Sequence, residues 1–195
     1  MHPGCAYVSA VIDCATEISR KRKIKPKEVE EIVVYVHFMT LLMDDLARLF
    51  ANPEWVKRFR SSVALNFYTP FNVAVALLRG SVSPQDLTVE RALDSDVWML
   101  MEKVRVELMP GLLLSTLKMP FGARVKVKLR NGEVLSAECE VPVGAAGNPY
   151  PAEERFSREA SGVLGNERVR EVIRTIENLE KVRTVSEVVD LLCKC

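Results

Sequence analysis

Histidine is scarce in this chain of 195 residues, with only His2 and His37, and aromatic residues make up 7% of it. There is no glycine-rich phosphate loop, no serine-centred elbow, and no pairing of metal ligands at a recognisable spacing. Nucleotide binding through such a loop, serine hydrolysis and a built-in metal site therefore have no support, and no cofactor is expected. Neither sign of charge is in excess: 27 Lys and Arg face 26 Asp and Glu. A near-neutral chain has no overall field to recruit nucleic acid or an anionic membrane. No apolar run is long enough to span a bilayer, and no basic stretch followed by an apolar one marks a signal peptide, so a cytoplasmic protein is expected. The five cysteines, Cys5, Cys14, Cys139, Cys193 and Cys195, are odd in number and scattered, which argues against a disulfide framework. Cys193 and Cys195 lack a second ligand pair and read as a reducible tail.

What is present is clear periodicity. Val8, Val11, Ile12, Ala15 and Ile18 recur at helical steps from Cys5 to about Arg20, and the cations from Arg20 to Lys23 suit the end of a helix. Val29 to His37 reads as a strand, and His37 as a surface residue at its end. Helical spacing returns over Thr40–Phe50, from Pro70 to a stop at Gly80, over Ser83–Leu93 and over Ser95–Glu102. Val104–Leu108 alternates as a strand. Val125, Val127 and Leu129 alternate with basic residues, and a three-residue loop at Arg130–Gly132, with Gly132 left-handed, matches their apolar face to Leu135, Ala137 and Cys139. Gly144–Pro151 is dense in turn residues, and two amphipathic stripes follow it, Val169/Val172/Ile173/Ile176/Leu179 and Val185/Val188/Val189/Leu192. These readings give an α+β fold: residues 1–145 form a small, mostly antiparallel sheet with helices on one face, and residues 146–195 a helical C-terminal segment.

Several segments carry a further likeness. Pro3-x-Cys5-x-Tyr7 leading to Ile12-Asp13-x-Ala15, then Pro70-Phe71-x-Val73-Ala74-Val75-Ala76-Leu77-Leu78-x-Gly80, Lys103-Val104-x-Val106, Ala123-Arg124-Val125 through Asn131-Gly132, and Gly147-Asn148-Pro149 occur in an order that resembles the MmgE/PrpD family. That family includes 2-methylcitrate dehydratase, cis-aconitate decarboxylase and iminodisuccinate epimerase. The resemblance implies an α+β lid that closes on an all-helical domain, with the last helices returning to that domain near the Pro3–Arg20 helix. It also implies proton transfer beside a carboxylate of a small polycarboxylic acid, without a metal. The opening motif reads as the start of the second domain, so the helical domain is expected from a separately encoded chain.

The departures from the family pattern are specific. The basic residue that precedes the opening motif is missing, the family's histidine four positions before Asp13 is Ser9, and its tyrosine at the start of the Val-Ala-Val-Ala helix is Phe71. Arg79 stands where the family has aspartate. Cys5, Tyr7, Ser9 and Phe71 are the candidates to line a substrate cleft, while His2 reads as a mobile terminal residue and no catalytic residue is assigned. The rival reading is a non-catalytic relic or binding module that oligomerises through the surface the absent domain would cover. Either way a homo-oligomer, most simply a dimer, or a complex with a helical chain is expected, since apolar helical stripes need cover. Nucleic acid and membrane are not expected as partners.

Overall fold

The computed structural model describes residues 2–110 and 121–193. They fall into two compact units, Met1–Asn148 and Pro149–Cys195. In the first unit the chain opens with a 3-10 turn at Ala6–Val8 and continues into α1 (Ser9–Lys21). Regular helix therefore starts later than the apolar spacing suggests. The stripe is nonetheless wholly inside: Val8, Val11, Ile12, Ala15 and Ile18 are all at most 1% exposed. Past Lys21 the backbone turns extended, and Arg22 pairs with Glu28 and Glu133.

The next elements are β1 (Val29–Val36), α2 (Phe38–Arg48), α3 (Pro53–Phe59), α4 (Thr69–Arg79), α5 (Val89–Ala92), α6 (Ser95–Met101), β2 (Val104–Leu108), β3 (Ala123–Leu129) and β4 (Val134–Cys139). Helix α3 was not anticipated, although its signals are ordinary ones. Asn52 caps it by accepting the Trp55 N–H at 2.8 Å, and Pro53 stands in its first turn. Gly80 ends α4 with φ +76°, as its position predicts. Ser83 opens a 3-10 turn at Pro84–Leu87, where Ser83 and Asp86 bond to each other's backbone and side chain.

The sheet order is β2-β1-β3-β4. It is mixed, since β1 and β2 run parallel while β1/β3 and β3/β4 are antiparallel. The parallel pair follows from the helices α2 to α6, which carry the chain back across before β2 begins. At the β3–β4 hairpin Gly132 has φ +87°, and the register sets Val127 against Leu135, Val125 against Ala137 and Ala123 against Cys139. A shift of register lies between Val29 and Glu31 of β1. The extra residue lets Val29 and Ile32 both point into the core, where each is fully buried.

One sheet face carries Ile32, Val34, Val125, Val127 and Leu129, and it shares a single apolar core with α1, α4 and α6. The opposite face is charged and paired: Arg124 with Glu138, Lys128 with Glu30, and Arg105 with Glu31 and Glu107, while the Lys126 ammonium lies 5.5 Å from the Tyr35 ring centre. That is a solvated face of matched charges.

In the second unit α7 (Ala152–Leu164), α8 (Asn166–Glu177) and α9 (Val185–Leu192) follow one another. Thr184 and Glu187 make a capping box at the start of α9. Val169 and Val172 are the buried side chains of α8. Phe156, Ile173, Ile176 and Leu192 line a cavity of about 420 Å³ among the three helices. Among the described residues no helix is long and apolar enough to cross a membrane. Cys5, Cys14, Cys139 and Cys193 are free thiols, and Cys195 lies outside the described residues.

Candidate functional site

The opening motif packs at one end of the sheet. Cys5 precedes the 3-10 turn, which closes by a bond from the Val8 N–H to the Cys5 carbonyl at 3.2 Å. Gly4 has φ +122°, and a Cβ added there would sit 3.4 Å from the Asn66 carbonyl oxygen. This glycine gives the chain a backbone state that other residues rarely adopt, close against its neighbour. The Tyr7 carbonyl accepts the Thr40 hydroxyl of α2 at 3.1 Å, and the Tyr7 ring meets Phe121 edge-on at 4.8 Å. Ser9 begins α1 and is half-buried. Cys5, Tyr7 and Ser9 thus share one short segment. Phe71 is elsewhere in role: it is fully buried in α4, among the largest side chains of the core.

His37 is no surface residue, because it is 4% exposed. Its Nδ1 accepts the Met39 N–H at 3.2 Å and so caps α2. That bond leaves the ring proton on Nε2, which is buried and meets no hydrogen-bond partner among the described residues. Burial pushes its pKa down. The ring is spent on holding the turn from β1 to α2.

Asp44 of α2 is fully buried. Its Oδ1 accepts the Thr69 N–H at 2.7 Å, while Arg48 stands 3.6 Å from Oδ2. Tyr68, the residue before α4, offers no side-chain cap, so Asp44 caps that helix from a distance. Burial raises the Asp44 carboxyl above its ordinary value of 3.8, against the pull of the Thr69 N–H and of Arg48. A carboxyl raised on folding contributes stability that is fully present below the unfolded value and is lost as the pH rises through the folded one. Asp44→Asn keeps an oxygen for Thr69 and abolishes the titration. Relative to the parent chain, this variant is expected to gain stability as the pH is raised from about 4 to about 7. Urea unfolding across that range checks it, and parallel pH profiles for the two proteins would refute it.

Arg79, in the position where aspartate was expected, holds a network. It bonds to Asp86 and, at 2.8 Å, to Asp94, while Arg91 lies 3.8 Å from Asp86. Burial raises the Asp94 carboxyl, but Arg79 and the Asp96 N–H outweigh it and hold the pKa below the ordinary value.

A second cluster joins the opening segment to α1 and to the turn after β4. The His2 Nε2 lies 2.8 Å from the Asp13 Oδ1, and the side chains are 12% and 17% exposed. Far from mobile, His2 is docked. The other oxygen of Asp13 accepts the Val143 N–H at 2.9 Å and stands 3.9 Å from the Cys139 thiol. Burial raises the Asp13 carboxyl, yet His2 and the Val143 N–H together bring its pKa below the ordinary value. Burial, with Asp13 and Glu17 nearby, pushes the Cys139 thiol up to about 11. The Cys14 thiol is raised further, by burial first, and donates to the Ala123 carbonyl at 3.4 Å. Both thiols are therefore protonated at neutral pH and poor nucleophiles. Sequence reasoning passed over Asp13 and His2 as a pair; the signal available was the Ile12-Asp13 motif itself.

Among the described residues no group of three or more His, Cys, Asp or Glu comes together to hold a metal ion. The family model described as MmgE/PrpD C-terminal domain matches residues 2–181. No curated protein matches the chain.

Proposed function

We infer from the chain's place in the MmgE/PrpD family, to which it belongs through its C-terminal domain, that it is the lid-like half of an enzyme acting on a small polycarboxylic acid. The reaction class is proton transfer beside a carboxylate, as in dehydration, decarboxylation or epimerisation. The other half is a helical chain. The observation that carries this reading is the outer side of α2: Phe38, Leu42, Leu46 and Leu49 recur along one stripe at 44%, 50%, 53% and 69% exposure. Spacing of four, four and three residues places them on one face of the helix. A stripe this apolar suits a surface made to be covered by another helix. Next to it, Phe50, Trp55 and Phe59 stack at 4.7 and 4.2 Å between ring centres.

The Tyr7–Thr40 bond ties the opening segment to the inner side of α2, opposite that stripe, and the side chains of that segment, Cys5, Tyr7 and Ser9, are the ones we propose to line the cleft. Co-expression with a helical chain encoded nearby tests the reading. The expected result is a complex that co-purifies and consumes a citrate-like acid. A complex that forms but turns over none of a panel of di- and tricarboxylic acids would favour the non-catalytic module instead.

A further inference from the structure

We infer that His2, oriented by Asp13, is the proton-transfer group of this cleft, a role that rests on the polycarboxylate reading above. The chain has two histidines, and the structure separates their uses. His37 has one ring nitrogen committed to the Met39 N–H and the other enclosed without a partner among the described residues. His2 is the imidazole of this chain left for chemistry.

The geometry around His2 is that of an oriented base. Its Nε2 faces the Asp13 Oδ1 at 2.8 Å, and the Val143 N–H fixes the second carboxylate oxygen, so the carboxylate cannot turn away. A carboxylate held in this way keeps the imidazole proton on Nε2, leaves the Nδ1 lone pair to act, and stabilises the imidazolium that forms. Asp13 lies four residues beyond Ser9 on α1, hence on the same side of the helix, one turn away. An imidazole docked on Asp13 therefore serves the helix face that starts at Ser9. The neighbouring groups have partners of their own: the Cys139 thiol faces the Asp13 Oδ2 at 3.9 Å, and Glu17, one turn beyond Asp13, is paired with Lys21 at 2.5 Å.

The step balances without a further reagent. Nδ1 takes the proton from the carbon beside a substrate carboxylate; the C–H bond breaks and an N–H bond forms. In a dehydration the electron pair becomes the carbon–carbon double bond, and the leaving hydroxyl takes back a proton as water. In an epimerisation the carbon takes a proton from water on its opposite face, and the imidazolium gives its own proton to solvent water. Asp13 is the positioning residue, since it acts through His2.

Imidazole NMR of the full chain, alone and in the co-purified complex, with citrate as the probe, is the first test. The expected result is a single His2 tautomer protonated at Nε2, a shift of its Nδ1 signal on adding citrate, and a mixture of tautomers in Asp13→Asn. In the active complex, His2→Gln is expected to lower kcat on the order of 100-fold, the usual size of a general-base contribution. KM should stay within about threefold, because the lost interaction belongs to the transition state. Asp13→Asn should lower kcat by about tenfold or more with the same KM pattern. Circular dichroism establishes that each variant folds, and His2→Asn serves if His2→Gln does not. If citrate moves other resonances but not those of His2, or if His2→Gln retains full turnover, the dyad is only a strap and the inference fails alone. If citrate moves no resonance in either preparation, the polycarboxylate reading falls and takes this role with it.

Discussion

Replacing Arg79 by leucine is expected to cost about 3 kcal/mol of stability, in the range found when one partner of a buried ion pair is removed. The cost is large because of what stays behind. Asp86 is 4% exposed, and without the guanidinium its charge keeps, among the described residues, the Ser83 N–H and hydroxyl at bonding distance, with Arg91 at 3.8 Å. Asp94 contributes less, since its side chain is 39% exposed and water can take up its lost bond. The same substitution loosens the junction between α4, the Pro84–Leu87 turn and α6, because Arg79 is the side chain that bonds to both acids. Trp98 reports on that junction: its ring N–H donates to the Ala92 carbonyl at 2.7 Å. Urea unfolding followed by near-ultraviolet circular dichroism measures the loss. Arg79→Lys should recover only part of it, as an ammonium cannot serve both carboxylates with a planar fork. A loss below about 1 kcal/mol would mean that the network is no more than a surface pair.

Assembly through the outer side of α2 should show the other large effect. Light scattering at micromolar concentration is expected to report a particle heavier than the 21.9 kDa chain, or a complex with a helical partner when one is supplied. Changing Leu42 and Leu46 together to lysine should weaken that association by on the order of 100-fold or more, since about 1.5–3 kcal/mol is lost for each large apolar side chain no longer buried. The folded chain should tolerate the change, because both positions are half exposed already. The same pair of lysines at Val189 and Leu192 of α9 asks whether the C-terminal unit has a separate interface. A monodisperse monomer that binds no helical chain would end the idea.

The elements best legible in the sequence were those whose own spacing decides their fate. Val125, Val127 and Leu129 against Asn131-Gly132 pointed to the hairpin and its three-residue loop, since the two-residue loop slips the register by one and puts polar groups on the apolar face. Helix α4 was equally plain between Pro70 and Gly80. What could not be read came from contacts distant in sequence. The parallel pairing of β1 with β2 joins residues some seventy positions apart, as in Ile32 against Val104, and leaves no local mark. Asp44 caps α4 across 25 positions, so the helix start looks uncapped in the sequence. His37 showed the same gap in another way: its place at the end of a strand suggested a surface residue, but the chain turns there and the ring becomes a cap. In the candidate site, Cys5, Tyr7 and Ser9 were recognisable from their motif, whereas the docking of His2 on Asp13 depends on a turn after β4 that brings Val143 to the same carboxylate.

The register shift in β1 has a consequence for how the lengths of related chains can differ. Glu30 is the residue that stands out of the ladder, between Val29 opposite Leu129 and Glu31 opposite Lys128. Removing it would let Val29 move next to Glu31 and still face Leu129, so an ordinary two-residue alternation would replace the kink. Among the described residues the side-chain bond lost is the exposed one from Lys128, which contributes little. Most single-residue deletions inside a strand turn every later side chain to the wrong face. This position is a joint at which the strand can shorten by one residue and keep its inward set, and an alignment gap in related sequences belongs here before it belongs anywhere else in the sheet.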